Sequence, residues 1–314
     1  MDTTGPVRIF LNRILPWLIA AAFIVLVQYV EGWARVLAAW REISWLTALG
    51  ALLLVFASYA VRAQRLYLHF RPALAGHWLG CLKLMLYHNF LNNLLPLRTG
   101  EVSFPVLMGR YFGVEARASV PALLWFRVLD LHSLLAYGVL VFGGFYLGWR
   151  GGAALLGLWL VVPIPLVRLR DRLLGLFERL SPGRVRGALT ALVETVPARF
   201  GDVLWVWLLS ALNWGLKLYA FALILVDLLG VGAAQGWMGA LGGDLTSALP
   251  IHSAAGLGTY EAGVVAGMAL LGVAPGEALR GAVNLHLFLL VAMGLGALLG
   301  SFLPRPAMAV KGKV

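Results

Sequence analysis

Apolar residues run in long blocks along this chain, and polar residues collect between the blocks rather than alternating within them. Blocks of that length read as helices crossing a bilayer, which takes about 20 apolar residues each. The pattern predicts spans over Ile14 to Val30, Trp45 to Val61, Pro121 to Leu147, Gly152 to Val167, Val203 to Leu229 and Leu279 to Leu303. Two other apolar stretches are broken. Trp78 to Leu95 carries Lys83, His88, Asn89, Asn92 and Asn93, stops at Pro96, and resumes as helix near Glu101. Trp237 to Pro250 stops in the same way and resumes over Gly258 to Leu271. Each reads as apolar helix, Leu-Pro, short irregular linker, Gly and Thr, Glu, second helix. Non-helical backbone at membrane depth is tolerated only where protein buries it or where it lines a wet cavity. The expected fold is therefore all-α. It is a polytopic membrane protein of about six transmembrane helices with two re-entrant helical hairpins.

The charges add an orientation. Arg8 and Arg13 precede the first span, while Arg62, Arg65, His69 and Arg71 follow the second. The segment 168–201 is the most basic, with Arg168, Arg170, Arg172, Arg179, Arg184, Arg186 and Arg199 against Asp171, Glu178 and Glu194. Cytoplasmic loops are rich in Lys and Arg, so these segments and both termini are expected in the cytoplasm of a bacterial inner membrane. The 168–201 loop reads either as an amphipathic segment on the membrane or as a solvated basic loop. The first hairpin then enters from the cytoplasmic face and the second from the other face. Pro96…Gly100-Glu101 aligns with Pro250…Tyr260-Glu261, and Asp130-Leu131-His132 loosely with Asn284-Leu285-His286. The expectation is one transmembrane domain over 1–314, built from inverted repeats at about 45–147 and 203–303, a plan used by transporters.

Composition narrows the class. The chain is 61% hydrophobic and 12% charged, where soluble domains carry about 25% charged residues; that leaves too little polar surface to face water. Its mean hydropathy is +0.86. A formal charge of +11 would suggest nucleic acid in a soluble protein, but here it fits basic loops lying against anionic lipid, and no nucleic-acid partner is expected. The lone Cys81 excludes an internal disulfide and a cysteine-based zinc cage. The first apolar run lacks a small-residue cleavage site after it and reads as a retained helix.

Charges inside hydrocarbon cost about 2.5–3.5 kcal/mol each on insertion scales, so they should be paired or face water. Arg98 and Glu101 lie three apart across the first hairpin turn, and Arg127 and Asp130 are i,i+3 on one helix face. These groups read two ways. They are ion pairs that lock the hairpins, or arginines that receive an anionic headgroup while carboxylates balance them or carry protons. A guanidinium suits phosphate because its planar fork donates two parallel hydrogen bonds. The helices starting near Gly100 and at Gly258-Thr259 also aim free N–H groups at the hairpin tips. Asn213 and Lys217 form an i,i+4 polar stripe in an apolar span. Asn92 and Asn93 satisfy freed backbone or touch substrate, and His252 sits in the second linker. Absent are a phosphate loop, an H-E-x-x-H helix and a G-x-S-x-G elbow, so no ATP motor, cofactor, metal or enzyme activity is expected.

Asn92-Asn93-Leu94-Leu95-Pro96-Leu97-Arg98-Thr99-Gly100-Glu101, then Arg127-Val128-Leu129-Asp130, then Leu249-Pro250…Gly256-Leu257-Gly258-Thr259-Tyr260-Glu261 resemble the lysylphosphatidylglycerol-synthase transmembrane-region family of flippase-like membrane proteins. The resemblance covers about 10–303. Where the family has an acidic residue before the Arg of the middle motif, this chain has Phe126. The resemblance implies movement of an anionic phospholipid or lipid-linked headgroup between leaflets. Asn92, Asn93, Arg98, Glu101, Arg127, Asp130, Asn213, Lys217, His252, Thr259 and Glu261 are the candidate substrate-binding set. Members with a fused soluble synthase domain make aminoacylated phosphatidylglycerol; for a chain ending at Val314 no such activity is expected. A second reading is a non-transporting membrane partner that docks a glycosyltransferase or lipid synthase, or another lipid-modifying enzyme, through the 168–199 loop; a third is an intramembrane lipid-modifying enzyme.

Overall fold

The computed structural model describes residues 15–162, 172, 175, 187, 190, 195, 196, 200–246 and 253–305; for 15–17, 20, 97, 98 and 200 it describes the backbone alone. Among the described residues the chain is helical throughout. The α-helices are α1 (Leu15–Val30), α2 (Trp33–Ala38), α3 (Trp45–His69), α4 (Arg71–Leu74), α5 (Trp78–Leu94), α6 (Ser103–Phe112), α7 (Ala116–Val161), α8 (Phe200–Leu229), α9 (Ala233–Thr246), α10 (Thr259–Ala269) and α11 (Pro275–Phe302). By length and composition α3, α7, α8 and α11 can each cross a membrane; Ala21–Val30 with Trp33–Arg41, bent by 80°, would make a fifth. The bend sits at Gly32, whose φ of 76° is open to glycine at little cost.

α7 is 46 residues long but does not run straight. Gly148 has φ 74° and ψ 168°, and the chain folds back there. The His132 ring stacks on Trp159 with centroids 5.3 Å apart, and Trp159 Nε1 donates to the His132 carbonyl at 3.0 Å. A straight helix would hold residues 27 apart at about 40 Å. The turn falls at the short connection around Arg150 that separates two expected spans. The helical leg after it is described to Val161, and residues 163–170 lie outside the described ones.

The described chain forms two compact units. One is drawn from Met1–Ala57, Leu86–Ser103 and Leu216–Phe302, the other from Ser58–Met85, Phe104–Gly215 and Leu303–Val314, each through its described residues. The first is called here the hairpin unit, the second the arginine unit.

In the hairpin unit the end of α5 runs into a 3-10 turn, Pro96–Val102, because Pro96 cannot donate to the helix ladder. The chain then doubles back closely. His88 Nδ1 and Ser103 Oγ are 2.9 Å apart, and a Cβ on Gly100 would lie 2.2 Å from the Leu91 carbonyl oxygen. α9 and α10 double back along a glycine seam: Gly242 faces Gly263, and Gly267 faces Met238. The irregular segment between them is described from Ser253; Leu249, Pro250 and His252 lie outside the described residues. The two tips meet, with Pro96–Val102 packed on Ala254–Gly256. With 17, 10, 14 and 11 residues, the legs α5, α6, α9 and α10 each fall short of the ~20 a crossing needs. α1 and α2 pack on this unit through Phe23, Val27 and Val36 against Val283.

In the arginine unit, Leu66, Cys81, Leu84, Phe104, Met108, Leu123 and Phe126 form one apolar core. Here the second helix outruns its apolar block. The hydrophobic pattern ends that span at Val61 and leaves Arg62 and Arg65 in a basic loop; α3 instead runs 25 residues to His69, and Arg65 is buried. Ala63 and Leu66 account for the extension, since both are buried and face the core on the turn that carries the arginines.

Candidate functional site

Polar side chains buried in an apolar protein concentrate in two places, one in each unit. In the arginine unit, Arg65 reaches from α3 to Asp130 on α7. Nη1 donates to Asp130 Oδ1 at 2.5 Å and Nη2 to Oδ2 at 3.3 Å, a two-pronged contact. Nη1 also donates to Ser210 Oγ on α8 at 2.5 Å. The Phe126 ring lies beneath the guanidinium, 4.5 Å from its centre. Phe126 thus meets Arg65 with its negative ring face. Arg62, one turn earlier, lies over Trp214 at 5.4 Å. Arg62, Arg65 and Arg127 all act electrostatically on Asp130. Asp130 also acts on Arg62, while Arg65 and Arg127 share its sign. Arg65 thus pairs with Asp130, and Arg62 and Arg127 add positive charge that acts on the same carboxylate.

The hairpin unit holds two buried ion pairs. Lys217 Nζ on α8 donates to Asp244 Oδ1 on α9 at 2.7 Å. Glu261, in the first turn of α10, is 1% exposed and works in two directions. Its Oε2 accepts the Gly258 N–H at 2.7 Å, capping the helix; its Oε1 lies 2.7 Å from His286 Nδ1 on α11. His286 Nε2 is 2.9 Å from the Ala255 carbonyl oxygen. Tyr260 stacks at an angle on His286 with centroids 4.7 Å apart, over Gly243 beside Asp244. The linker is stitched by Ser253 Oγ donating to the Leu257 carbonyl at 2.5 Å and Thr259 Oγ1 to that of Gly256 at 3.0 Å. Helix termini, irregular backbone and charge thus share one buried locus, as at the binding sites of broken-helix transporters.

The family described as lysylphosphatidylglycerol synthase TM region matches residues 13–296. The chain belongs to that family. No curated protein and no solved structure matches it. The match takes in both polar sites. As a member of the lysylphosphatidylglycerol synthase TM region family with several helices long enough to span, the chain is a multi-pass membrane protein.

The structure distributes the sequence candidates unevenly. Arg127 and Asp130 lie in the arginine cluster, though the close partner of Asp130 is Arg65 rather than its helical neighbour Arg127. Asn213, also in the arginine unit, is 1% exposed, and neither its Oδ1 nor its Nδ2 has a partner among the described residues. Lys217, Thr259 and Glu261 belong to the buried locus of the hairpin unit. Asn93 donates to the Asn89 carbonyl at 2.8 Å and so serves its own helix. Asn92 and Glu101 are half-buried at the first tip. The Arg98 side chain and all of His252 lie outside what is described.

Sequence reasoning misses Arg62, Arg65 and His286 as site residues. Arg62 and Arg65 are i,i+3 on one helix face, with Leu66 continuing the apolar stripe, and that is the available signal. His286 has only its loose match to His132. The two histidines have different surroundings: His132 accepts from Trp207 Nε1 at 2.9 Å in the arginine unit and stacks on Trp159, where His286 meets a carboxylate.

Proposed function

We propose that this chain moves an anionic phospholipid or a lipid-linked headgroup between the leaflets of a bacterial inner membrane, as a transporter and not as an enzyme. The observation that carries this reading is the buried fork of Arg65 on Asp130, with Arg62 and Arg127 acting on the same carboxylate, inside a membrane protein. Gathering like charges within a membrane protein is costly, and a structural ion pair needs only Arg65 and Asp130. The additional guanidiniums create positive potential suited to a phosphate, which they recognise through charge-assisted forked hydrogen bonds. Arg65 also keeps a buried Nε without a partner among the described residues. Asp130 holds Arg65 in place, and Trp214 and Phe126 set aromatic faces against Arg62 and Arg65.

The hairpin tips, with α9 and α10, supply the moving part. The tips meet, the linkers are irregular, and each leg is too short to be a fixed span. The chain carries no nucleotide-binding loop, which leaves downhill or ion-coupled movement.

The test is translocation in reconstituted vesicles, using fluorescent phosphatidylglycerol and chemical quenching of the outer leaflet. The wild type is expected to move the probe, and an Arg62→Gln/Arg127→Gln double variant to move it at least about tenfold more slowly, the loss of one charge-assisted contact or more. Equal rates for the two would overturn the reading.

A further inference from the structure

Hydrogen-bond chemistry at His286 requires a proton that the transport reading does not use. Both ring nitrogens face oxygen: Nε2 is 2.9 Å from the Ala255 carbonyl, and Nδ1 is 2.7 Å from Glu261 Oε1. A carbonyl oxygen only accepts, so Nε2 carries a hydrogen. The Nδ1 contact then needs a second hydrogen, held either as imidazolium facing carboxylate or as neutral imidazole facing a carboxylic acid. With neither, a nitrogen lone pair would face a carboxylate oxygen at 2.7 Å, and the contact would repel. Glu261 cannot turn that oxygen away cheaply, because Oε2 is engaged by the Gly258 N–H at 2.7 Å. The side chains are 3% and 1% exposed, so water does not relieve the repulsion.

The proton also has mechanical leverage. His286 ties α11 to the linker at Ala255 and to the first turn of α10 at Glu261. Ala255 is the one described non-glycine residue with positive φ, at 54°, a conformation that strains an L-residue. The linker packs in turn on Pro96–Val102, the tip of the first hairpin. Other ionisable groups near the pair come from each packed element. Tyr260 of α10 touches the His286 ring; its buried hydroxyl has no hydrogen-bond partner among the described residues, and it feels the charges of both Asp244 and Glu261. Asp244 of α9 is held by Lys217 of α8. The first tip carries Arg98 and Glu101. α11 itself carries Glu277 and Arg280, Arg35 of α2 and Arg41 are exposed, and α1 has no acid or base.

We propose that the Glu261–His286 pair is a proton-binding site that couples lipid movement to protons. On protonation the junction closes and the strained linker is held to α11. On release, imidazolium and carboxylate become neutral imidazole, carboxylate and a proton passed to water; the neutral ring can donate to Ala255 or to Glu261 but not to both, so one of the two ties is lost. The junction is therefore intact on the acid side and opens as pH rises. The coupling half of this inference rests on the transport reading; the proton site does not.

The experiment uses the full chain, with nitrogen-15 labelled histidine in lipid nanodiscs and in proteoliposomes. His286 should change protonation state once across a pH series spanning about pH 5 to 8, the range in which histidine side chains serve as switches. Glu261→Gln keeps a donor to Nδ1 without an exchangeable proton, so its His286 should stay neutral throughout. Lipid translocation by the wild type should change several-fold with an imposed pH gradient, and by Glu261→Gln not at all. His286→Gln gives a second proton-free variant if the first does not fold. A wild-type His286 signal constant across that range overturns the site. Titration with gradient-independent translocation overturns the coupling. Titration in a protein that moves no lipid supports the site and removes the transport reading instead.

Discussion

Asp130→Ala is expected to remove most of the folded protein. Arg65 lies 5% exposed, with its fork on Asp130, one nitrogen also on Ser210 and an aromatic face beneath it. Without Asp130, no carboxylate among the described residues remains in contact with that guanidinium, and Arg62 and Arg127 repel it. Breaking a buried pair by deleting one partner costs about 3–5 kcal/mol, against a total stability of about 5–15 kcal/mol for a typical domain. Thermal melting with size-exclusion chromatography should show a large fall in both midpoint and monodisperse yield. Replacing both partners, Arg65→Met with Asp130→Leu, removes the uncompensated charge and should recover much of that loss while leaving lipid translocation absent. If Asp130→Ala melts with the wild type, the pair does not hold the arginine unit together.

Gly267→Leu is expected to separate the second hairpin. A Cβ at Gly267 would fall 2.1 Å from the Met238 carbonyl oxygen, and at Gly263 2.4 Å from that of Gly242. The obstacles are backbone atoms, which cannot rotate aside as a side chain would. Overpacking a close seam costs about 1–3 kcal/mol, and here both helices must also move apart. Closely approaching glycines are how membrane helices pack without a hydrophobic drive between them. Gly157→Ala is the matched control, because nothing lies within 4 Å of its added Cβ. It should be neutral or slightly stabilising, while Gly267→Leu loses folded protein or, where it folds, loses translocation. Indistinguishable melting of the two variants would remove the seam from the account.

How much of this was legible depends on how locally each feature is encoded. The broken helices were visible because Pro96 stops a helix by its own covalent chemistry, and because charges such as Arg98, Glu101 and Glu261 are expensive within an apolar run. The turn in α7 showed through Arg150 and the glycines around it. Arg62 and Arg65 were hidden because basic residues at the end of an apolar run normally mark where the chain leaves the membrane. Only the packing of Ala63 and Leu66 draws them inward, and that packing depends on partners from α5, α6 and α7. His286 was hidden for a related reason. Its partner Glu261 is 25 residues away on another helix, and neither spacing nor composition joins them. The charges themselves were legible, but their pairing required the fold.

The most direct test of the central claim, that the arginine cluster holds an anionic headgroup, is native mass spectrometry of the lipids retained by the purified protein. The wild type should keep anionic phospholipid through mild delipidation, and the Arg62→Gln/Arg127→Gln variant should lose it while staying folded. Retention of the same lipids by both, or a wild type that keeps only zwitterionic lipid, would contradict the account.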